Sequence, residues 1–229
     1  MAPEGRFVRM QKGRISRQKS FAEFMETRML EYEKSIAAVK RKLFAQILSS
    51  ETVVDIGIGT GPNLRFLQKG THVLGVDPNE YMWPYAMQKA RENGIELRVV
   101  GGVGEQLPVE DESCDVVIIT LTLCSVRDPC ETLKEVLRVL KPGGRLFFIE
   151  HVIADRSRPV FRLVQNLLNP LQGALADGCH LNRDTASILE NVQGSRFRFS
   201  EVQYEKFGVG GSWCLIRPHI AGCARKEPS

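Results

Sequence analysis

A glycine-rich turn is the feature of this 229-residue sequence best suited to hold a ligand. Residues 53–63 read Val-Val-Asp-Ile-Gly-Ile-Gly-Thr-Gly-Pro-Asn, which predicts a buried strand that runs into a turn and then a helix. The turn carries three glycines at alternating positions, Gly57, Gly59 and Gly61. Glycine adopts positive φ and has no Cβ, so the backbone can closely approach a bound molecule. Because open α/β sheets bind ligands beyond the carboxyl ends of their strands, we expect a ligand at this turn.

The residues around these glycines discriminate between two kinds of ligand. A dinucleotide fingerprint needs its third glycine one residue later, where Pro62 stands. Asp55 precedes the first glycine by two residues, and its carboxylate would repel a pyrophosphate but attract an ammonium or a sulfonium. Both observations argue against NAD and favour a cationic, amino-acid-like ligand. The alternative is that Asp55 only caps the turn.

A second carboxylate follows the next predicted strand. Asp77 lies in Gly-Val-Asp-Pro-Asn, with Pro78 and Asn79 completing the turn, and an acidic side chain here can accept both hydroxyls of a ribose. A third segment, Val103-Gly104-Glu105, would lie beside a flat ring. An acidic residue at this place serves NAD equally well, so Asp77 alone indicates a nucleoside. Together with the Asp-x-Gly-x-Gly-x-Gly turn, it favours S-adenosylmethionine as the cofactor.

Four further side chains are candidates for proton transfer. His151 ends the fifth predicted strand, Asp177 and His180 lie in the segment beyond it, and Cys124 follows the fourth strand. The alternative interpretation is structural, with His151 capping its strand, Asp177 beginning a turn and Cys124 in the core. Methyl transfer from a sulfonium needs mainly alignment and exclusion of water, so a base is helpful rather than obligatory.

Alternating strands and helices position these residues. The predicted strands are 52–58, 72–76, 97–100, 115–120 and 145–150, with two later ones at about 199–206 and 212–224. The predicted helices are about 63–68, 81–93, 129–140 and 183–191. Near-continuous apolar strands separated by helices are typical of a parallel sheet covered on both faces. We therefore predict a doubly wound α/β fold with a mostly parallel, seven-stranded Rossmann-like sheet whose last strand is antiparallel.

The N-terminal region differs from the rest in charge and pattern. The formal net charge is +4, but residues 1–20 alone hold six Lys or Arg and one Glu. Residues 21–48 repeat apolar side chains at spacings of three and four, which predicts a helix or a broken helix pair. We expect a basic flexible arm at 1–20 and one domain at 21–229. The 21–48 helix and an apolar insertion at 151–182 would form a lid over the acceptor site. The alternative is that they are ordinary packing helices with no lid function.

Composition and charge exclude several classes of protein. No apolar run approaches the ~18 residues of a membrane span, and the basic start does not read as a secretory signal. The six cysteines include no Cys-x-x-Cys pair, so we expect reduced thiols, no metal and a cytoplasmic location. Residues 51–229 hold 20 basic and 22 acidic side chains, which argues against a nucleic-acid partner. We expect the basic arm to be solvated; contact with an anionic membrane surface and a remnant of organelle targeting are the alternatives.

Five motifs, in order, resemble class I S-adenosylmethionine-dependent methyltransferases of the type that includes the ubiquinone-biosynthesis enzymes. They are the Asp-x-Gly-x-Gly-x-Gly turn, Gly-Val-Asp-Pro-Asn, Gly-Glu-x-Leu-Pro, Cys-Asp-Val-Val, and the segment 135–144 that leads into strand five. The resemblance implies that the first loop, ending at Asn63, holds the methionine part of the cofactor and that Asp77 holds the ribose. It places the adenine at the ends of the third and fourth strands, the latter at Thr120 and Leu121.

One position departs from this family pattern. Val103 stands where relatives usually carry an aspartate that meets the adenine amino group. Adenine contact would then fall to the backbone of Val103 and Gly104.

Four further segments are similar to the subgroup whose animal members are thiol S-methyltransferases, namely 121–126, 150–152, 177–183 and 217–222. This resemblance implies a small-molecule acceptor, most readily a thiol. The alternatives are C- or O-methylation of quinones or phenols, and a cofactor-binding scaffold without catalysis. The animal relatives begin with a hydrophobic membrane anchor that this sequence does not show, so we expect that their membrane location does not carry over.

Overall fold

A seven-stranded sheet forms the centre of the computed structural model, which describes residues 4–192, 198–210 and 214–228, with side chains of the first helix described from residue 15. The strands are β1 (Thr52–Ile56), β2 (His72–Val76), β3 (Glu96–Val100), β4 (Cys114–Thr120), β5 (Leu140–His151), β6 (Phe199–Gly208) and β7 (Pro218–Lys226). Their order is β3-β2-β1-β4-β5-β7-β6. The first five strands pair in parallel, whereas β7 is antiparallel to both β5 and β6. The predicted doubly wound fold with an antiparallel last strand is confirmed.

Helices cover both faces of this sheet: α1 (Glu4–Arg28), α2 (Leu30–Ser35), α3 (Ala37–Phe44), α4 (Trp83–Asn93), α5 (Pro129–Val139), α6 (Pro159–Leu175) and α7 (Thr185–Asn191). The two layers follow from the alternation of side chains along the central strands. On β1, Val53 packs with the cluster that includes Phe44 of α3, whereas Val54 packs with the cluster that includes Val136 of α5. Both valines are fully buried, which explains why the central strands read as continuous apolar runs.

Some local predictions were wrong. The helix expected at 63–68 is only a 3₁₀ turn, Leu64–Phe66, because the chain must reverse at Gly70, where φ is 85°, to enter β2. Strand β5 begins at Leu140 rather than at residue 145, since Leu140 pairs with Cys114 before a register shift. The last strand begins at Pro218, and residues 212–213 of the prediction lie outside the described part of the chain.

The N-terminal helices form one side of the molecule. Helix α1 continues across residue 20, where we placed the boundary between arm and domain; the mobility of 1–20 in solution stays a prediction. The predicted broken helix pair at 21–48 is seen as the end of α1 followed by α2 and α3. Hydrogen bonds tie α1 to the rest: Asn79 Nδ2 donates to the Gln18 carbonyl at 3.0 Å, Arg17 donates to the Ala174 carbonyl at 2.6 Å, and Lys89 donates to the Glu26 carboxylate.

The insertion at 151–182 contains α6, whose outer face carries an exposed apolar stripe: Val160, Leu163, Leu167, Leu171 and Leu175. Its inner face is held by Gln165, which is fully buried and accepts a hydrogen bond from the Ala154 amide at 2.8 Å. Among the described helices, none is both long enough and apolar enough to cross a bilayer.

Candidate active site

A cavity of about 650 Å³ lies at the carboxyl ends of the parallel strands. All the residues predicted to bind cofactor line it except Asp55: Gly57, Gly59, Gly61, Asn63, Asp77, Pro78, Asn79, Val103, Gly104, Glu105, Thr120 and Leu121. The parallel strands bring these segments together because their carboxyl ends meet at one edge of the sheet. The site that the sequence predicts from separate motifs is therefore one continuous cavity.

The glycine loop after β1 forms the floor of this cavity. Gly57, Gly59 and Gly61 have φ angles of 68°, 54° and 73°, a region that side chains disfavour. A Cβ at Gly57 would lie 2.3 Å from the Thr122 hydroxyl oxygen, whereas the nearest atom to a Cβ at Gly59 is 3.9 Å away. Gly57 is thus required by packing, and Gly59 keeps open a space inside the cavity.

Asp77 joins this loop to the end of β2. Its carboxylate accepts hydrogen bonds from the Gly59 amide at 2.9 Å and from the Asn79 amide at 2.8 Å. Burial raises the pKa of this carboxyl, while the two amide hydrogen bonds oppose the shift. Each carboxylate oxygen has further lone pairs, so the group can also accept two hydroxyls of a ligand.

Asp55 is placed differently from the sequence expectation of direct contact, since it is wholly buried below the cavity wall. Its carboxylate accepts from Asn63 Nδ2 at 3.1 Å, and Asn63 does line the cavity. The Asn63 Oδ1 atom is buried and has no hydrogen-bond partner within the described chain. Asp55 therefore acts on the cavity through Asn63, whose unpaired oxygen can accept from a ligand ammonium.

The Asp55 carboxyl also predicts a pH dependence of stability. Burial raises its pKa to about 7, against the lowering effects of Asn63 and Lys40 and with a further raising effect from Asp77. A raised folded-state pKa stabilises the protein at low pH, and this contribution is lost as the pH rises to about 7. Between pH 5 and 7 we expect the unfolding free energy of the wild type to fall, relative to Asp55→Asn, by about 1 kcal/mol per pH unit. Denaturant unfolding of both proteins across this range measures the difference, and parallel profiles would contradict it.

The segments predicted to lie beside the adenine, around Val103, Glu105 and Leu121, have well-defined local structure. The Glu105 carboxylate accepts from the backbone amides of Arg127 at 2.6 Å and Asp128 at 3.0 Å, so it fixes the neighbouring loop. Val103 is 45% exposed on the cavity rim. Leu121 has a φ of 53°, a conformation rare for leucine that turns the chain sharply after β4.

Only one of the candidate catalytic side chains reaches the cavity. Asp177 lines it, exposed and with a φ of 47°. His151 is buried behind the wall, where its Nε2 lies 3.1 Å from Cys179 Sγ, and His180 Nδ1 lies 3.2 Å from the Cys124 carbonyl oxygen. Hydrogen bonds with Cys124 and His151 lower the pKa of the Cys179 thiol. Asp177 can therefore contact a ligand in the cavity directly, whereas the two histidines cannot.

An ion pair that joins α1 to α4 at the edge of the cavity was not predicted from the sequence. Lys89 Nζ donates to the Glu26 carboxylate and, at 3.0 Å, to the Thr60 carbonyl, and all three residues line the cavity. No local pattern could pair Glu26 with Lys89, because they come together only when α1 crosses the sheet edge. The neighbouring apolar wall, formed by Phe21, Met25 and Met29, follows from the spacing that predicted a helical lid.

The site fits S-adenosylmethionine. An unpaired buried oxygen on Asn63 suits its ammonium, the carboxylate of Asp77 suits its ribose, and the space above Gly59 admits a ligand close to the backbone. The fold and this site define the class of the protein: it is an S-adenosylmethionine-dependent methyltransferase. A family model described as "Methyltransferase domain" matches residues 54–148.

Curated relatives narrow the family further. Thiol S-methyltransferase TMT1B of Rattus norvegicus is 39% identical over 215 residues, which span 90% of this chain and 86% of the relative. Thiol S-methyltransferase TMT1A of Homo sapiens is 36% identical over 204 residues, which span 85% of this chain and 81% of the relative. The chain belongs to this thiol S-methyltransferase family. A ubiquinone/menaquinone biosynthesis C-methyltransferase of Vibrio vulnificus is 35% identical, but over 48% of this chain and 43% of its own.

Solved structures agree on the fold. The complex of the Haloferax volcanii Trm112 methyltransferase activator with a putative methyltransferase matches with a TM-score of 0.65 and 18% identity, covering 91% of this chain and 98% of that one. A methyltransferase of Thermotoga maritima, described as a possible histamine N-methyltransferase, matches with a TM-score of 0.61 and 19% identity over 90% and 97%.

Proposed function

We propose that the protein methylates the sulfur of a small-molecule thiol. The observation that carries this proposal is the composition of the cavity, which continues from the cofactor loops to an apolar wall of Phe21, Met25 and Met29 with Asp177 on its rim. Such a wall suits a lipophilic acceptor that carries little charge. The related thiol S-methyltransferases are named for thiol acceptors, which supports the same choice here.

The residues of this chain would bind the cofactor, orient the acceptor and exclude water from the site. Bound S-adenosylmethionine supplies a methyl carbon attached to a positively charged sulfur. Asp77 would hold the ribose and Asn63 the ammonium, while α1 and α2 would shield the methyl carbon from solvent. The cavity wall would hold the acceptor sulfur in line with this methyl carbon, and the proton that the thiol loses on methylation would pass to Asp177.

A thiol acceptor needs little help from the protein. Thiols have a reference pKa near ~8.5, so a few per cent is thiolate at neutral pH, and an adjacent sulfonium favours ionisation further. We assign the remaining proton to Asp177, because it alone of the catalytic candidates lines the cavity. His151 and His180 would act only indirectly, from behind the wall. A phenol or a carbon acceptor would need a stronger base than this arrangement offers.

Acceptors that differ in one atom test the proposal. With labelled S-adenosylmethionine and the full chain, we expect thiophenol to be methylated and phenol not. Below the thiol pKa, Asp177→Asn should react only through preformed thiolate, so its rate should rise about tenfold per pH unit. The wild-type rate, with Asp177 as base, should rise less steeply, and the two rates should agree above that pKa. Methylation of phenol or of a reduced quinone, with thiophenol unreactive, would overturn S-methylation in favour of O- or C-methylation. Cofactor binding without methylation of any of the three would favour a scaffold.

A further inference from the structure

Three soft donor atoms meet behind the wall of the active-site cavity. Cys124 lies in the turn after β4, His151 is the last residue of β5, and Cys179 lies in the loop after α6. The two Sγ atoms and a ring nitrogen of His151 all lie within 4.8 Å of one another. The three side chains are buried, with 2%, 1% and 8% of their surfaces exposed.

The histidine of this cluster is incompletely paired. His151 Nε2 approaches Cys179 Sγ to 3.1 Å, while Nδ1 of the same ring is buried and has no hydrogen-bond partner in the described chain. A buried polar atom without a partner costs about 1–3 kcal/mol. Nε2 is the ring nitrogen beside Cys179, so it can act as a donor together with the two buried thiols, and a shared ligand explains why these three groups lie together in the interior.

We propose that Cys124, His151 and Cys179 bind a zinc ion. Two thiolates and one imidazole are ligands of Zn²⁺ and other soft metals, not of Mg²⁺ or Ca²⁺. In a tetrahedral zinc site, bond lengths of about 2.3 Å to sulfur and 2.0 Å to nitrogen place the donors roughly 3.6–3.8 Å apart. The distance of 3.1 Å from His151 Nε2 to Cys179 Sγ is shorter than this, and all three donors lie within 4.8 Å of one another, so side-chain movements alone would bring them to zinc-binding distances.

The surroundings of the cluster support a metal site. The Glu150 carboxylate accepts from the Thr122 and Leu123 amides at 2.8 and 2.9 Å, which orients the turn that presents Cys124. Two polar side chains border the cluster: Ser125 Oγ lies 3.5 Å from Cys124 Sγ, and Gln172 Nε2 lies 3.7 Å from Cys179 Sγ. Three protein ligands leave a fourth coordination position, which water can occupy.

The ion would connect three segments: the turn after β4, the end of β5 and the loop after α6. Asp177 lies two residues before Cys179, so coordination of Cys179 would fix the loop that places Asp177 on the cavity wall. Three of the four segments that resemble the thiol subgroup, 121–126, 150–152 and 177–183, each supply one ligand. The proposal replaces the expectation of no metal, which rested on the absence of a Cys-x-x-Cys pair.

Metal analysis of the purified full chain tests the proposal without any methyl acceptor. After expression in zinc-containing medium, removal of any affinity tag and gel filtration, we expect about one zinc ion per chain by elemental analysis. Replacement by Co²⁺ should give the intense visible absorption and thiolate charge-transfer bands of a tetrahedral site. Cys179→Ser and His151→Gln should each reduce the bound metal to a small fraction, whereas Cys130→Ser, at an exposed cysteine, should retain it.

Two controls keep the result decisive. S-adenosylhomocysteine binding to each variant reports whether the fold survives, so that loss of metal in a protein that still binds ligand supports the site. Wild-type protein that is folded, reduced and free of zinc even after incubation with Zn²⁺ would overturn the proposal. A disulfide between Cys124 and Cys179, identified by peptide mapping of the unreduced protein, would overturn it as well. None of these readouts depends on the acceptor, so their failure is distinct from failure of the proposed S-methylation.

Discussion

Replacing Asp77 with alanine should weaken S-adenosylhomocysteine binding about 100-fold. The carboxylate is nearly buried at the end of β2, and it is the acidic side chain on the cavity wall that the strand order places opposite a ribose. A hydrogen bond to a charged group contributes about 1.5–3 kcal/mol, so the loss of two such bonds to ribose hydroxyls costs roughly 3 kcal/mol or more. Titration calorimetry measures the change directly. Asp77→Asn, which keeps the shape but not the charge, should give a smaller loss.

A matched control separates binding from loop stability. The Asp77 carboxylate also accepts from two backbone amides, and Asp128 does the same at the start of α5, where it accepts from the Cys130 and Glu131 amides at 2.8 and 3.2 Å. Asp128→Ala should lower stability by about 1 kcal/mol and leave binding unchanged, because Asp128 does not line the cavity. If Asp77→Ala bound S-adenosylhomocysteine within threefold of the wild type, the ribose role would be refuted.

Gly59→Ala should reduce cofactor affinity by roughly 10- to 100-fold while the fold persists. A Cβ at this position meets no protein atom closer than 3.9 Å, so it would project into the space left for the ligand. Forcing an extra methyl group into an occupied site costs about 1–3 kcal/mol, which corresponds to this range of affinities. The positive φ of 54° adds roughly 1 kcal/mol of backbone strain. Calorimetry and thermal unfolding of the variant measure the two effects separately.

Gly70→Ala is the control for backbone strain. Gly70 also has positive φ, 85°, and a Cβ there would meet no atom within 4 Å, but the residue lies outside the cavity. The two alanine variants should therefore lose similar stability, and only Gly59→Ala should lose affinity. Equal affinities in both variants would mean that no ligand approaches the glycine loop closely.

The cofactor site could be predicted from the sequence because each part of it is local. The turn at 57–61 needs glycine for its own backbone, and Asp77 follows directly from the end of a strand. Parallel strands then bring both to one sheet edge, as the alternating pattern implies. The two layers of the core and the helical segments at 21–48 were predictable for the same reason, since period and composition encode them.

Local patterns did not decide how distant segments meet. The sequence places Asp55 at the ligand, but burial in the sheet makes it act through Asn63. The helix expected after the glycine loop shortens to one 3₁₀ turn because the chain must return quickly to β2.

The sequence by itself determined the class of fold, the cofactor and the loops that line the cavity, because these depend on short-range backbone requirements and on hydrophobic period. Only the tertiary structure decided which catalytic candidate reaches the cavity. It leaves Asp177 on the wall and turns His151 away to meet Cys124 and Cys179. Those three residues are far apart in the chain, and only packing of the insertion against the ends of β4 and β5 brings them together.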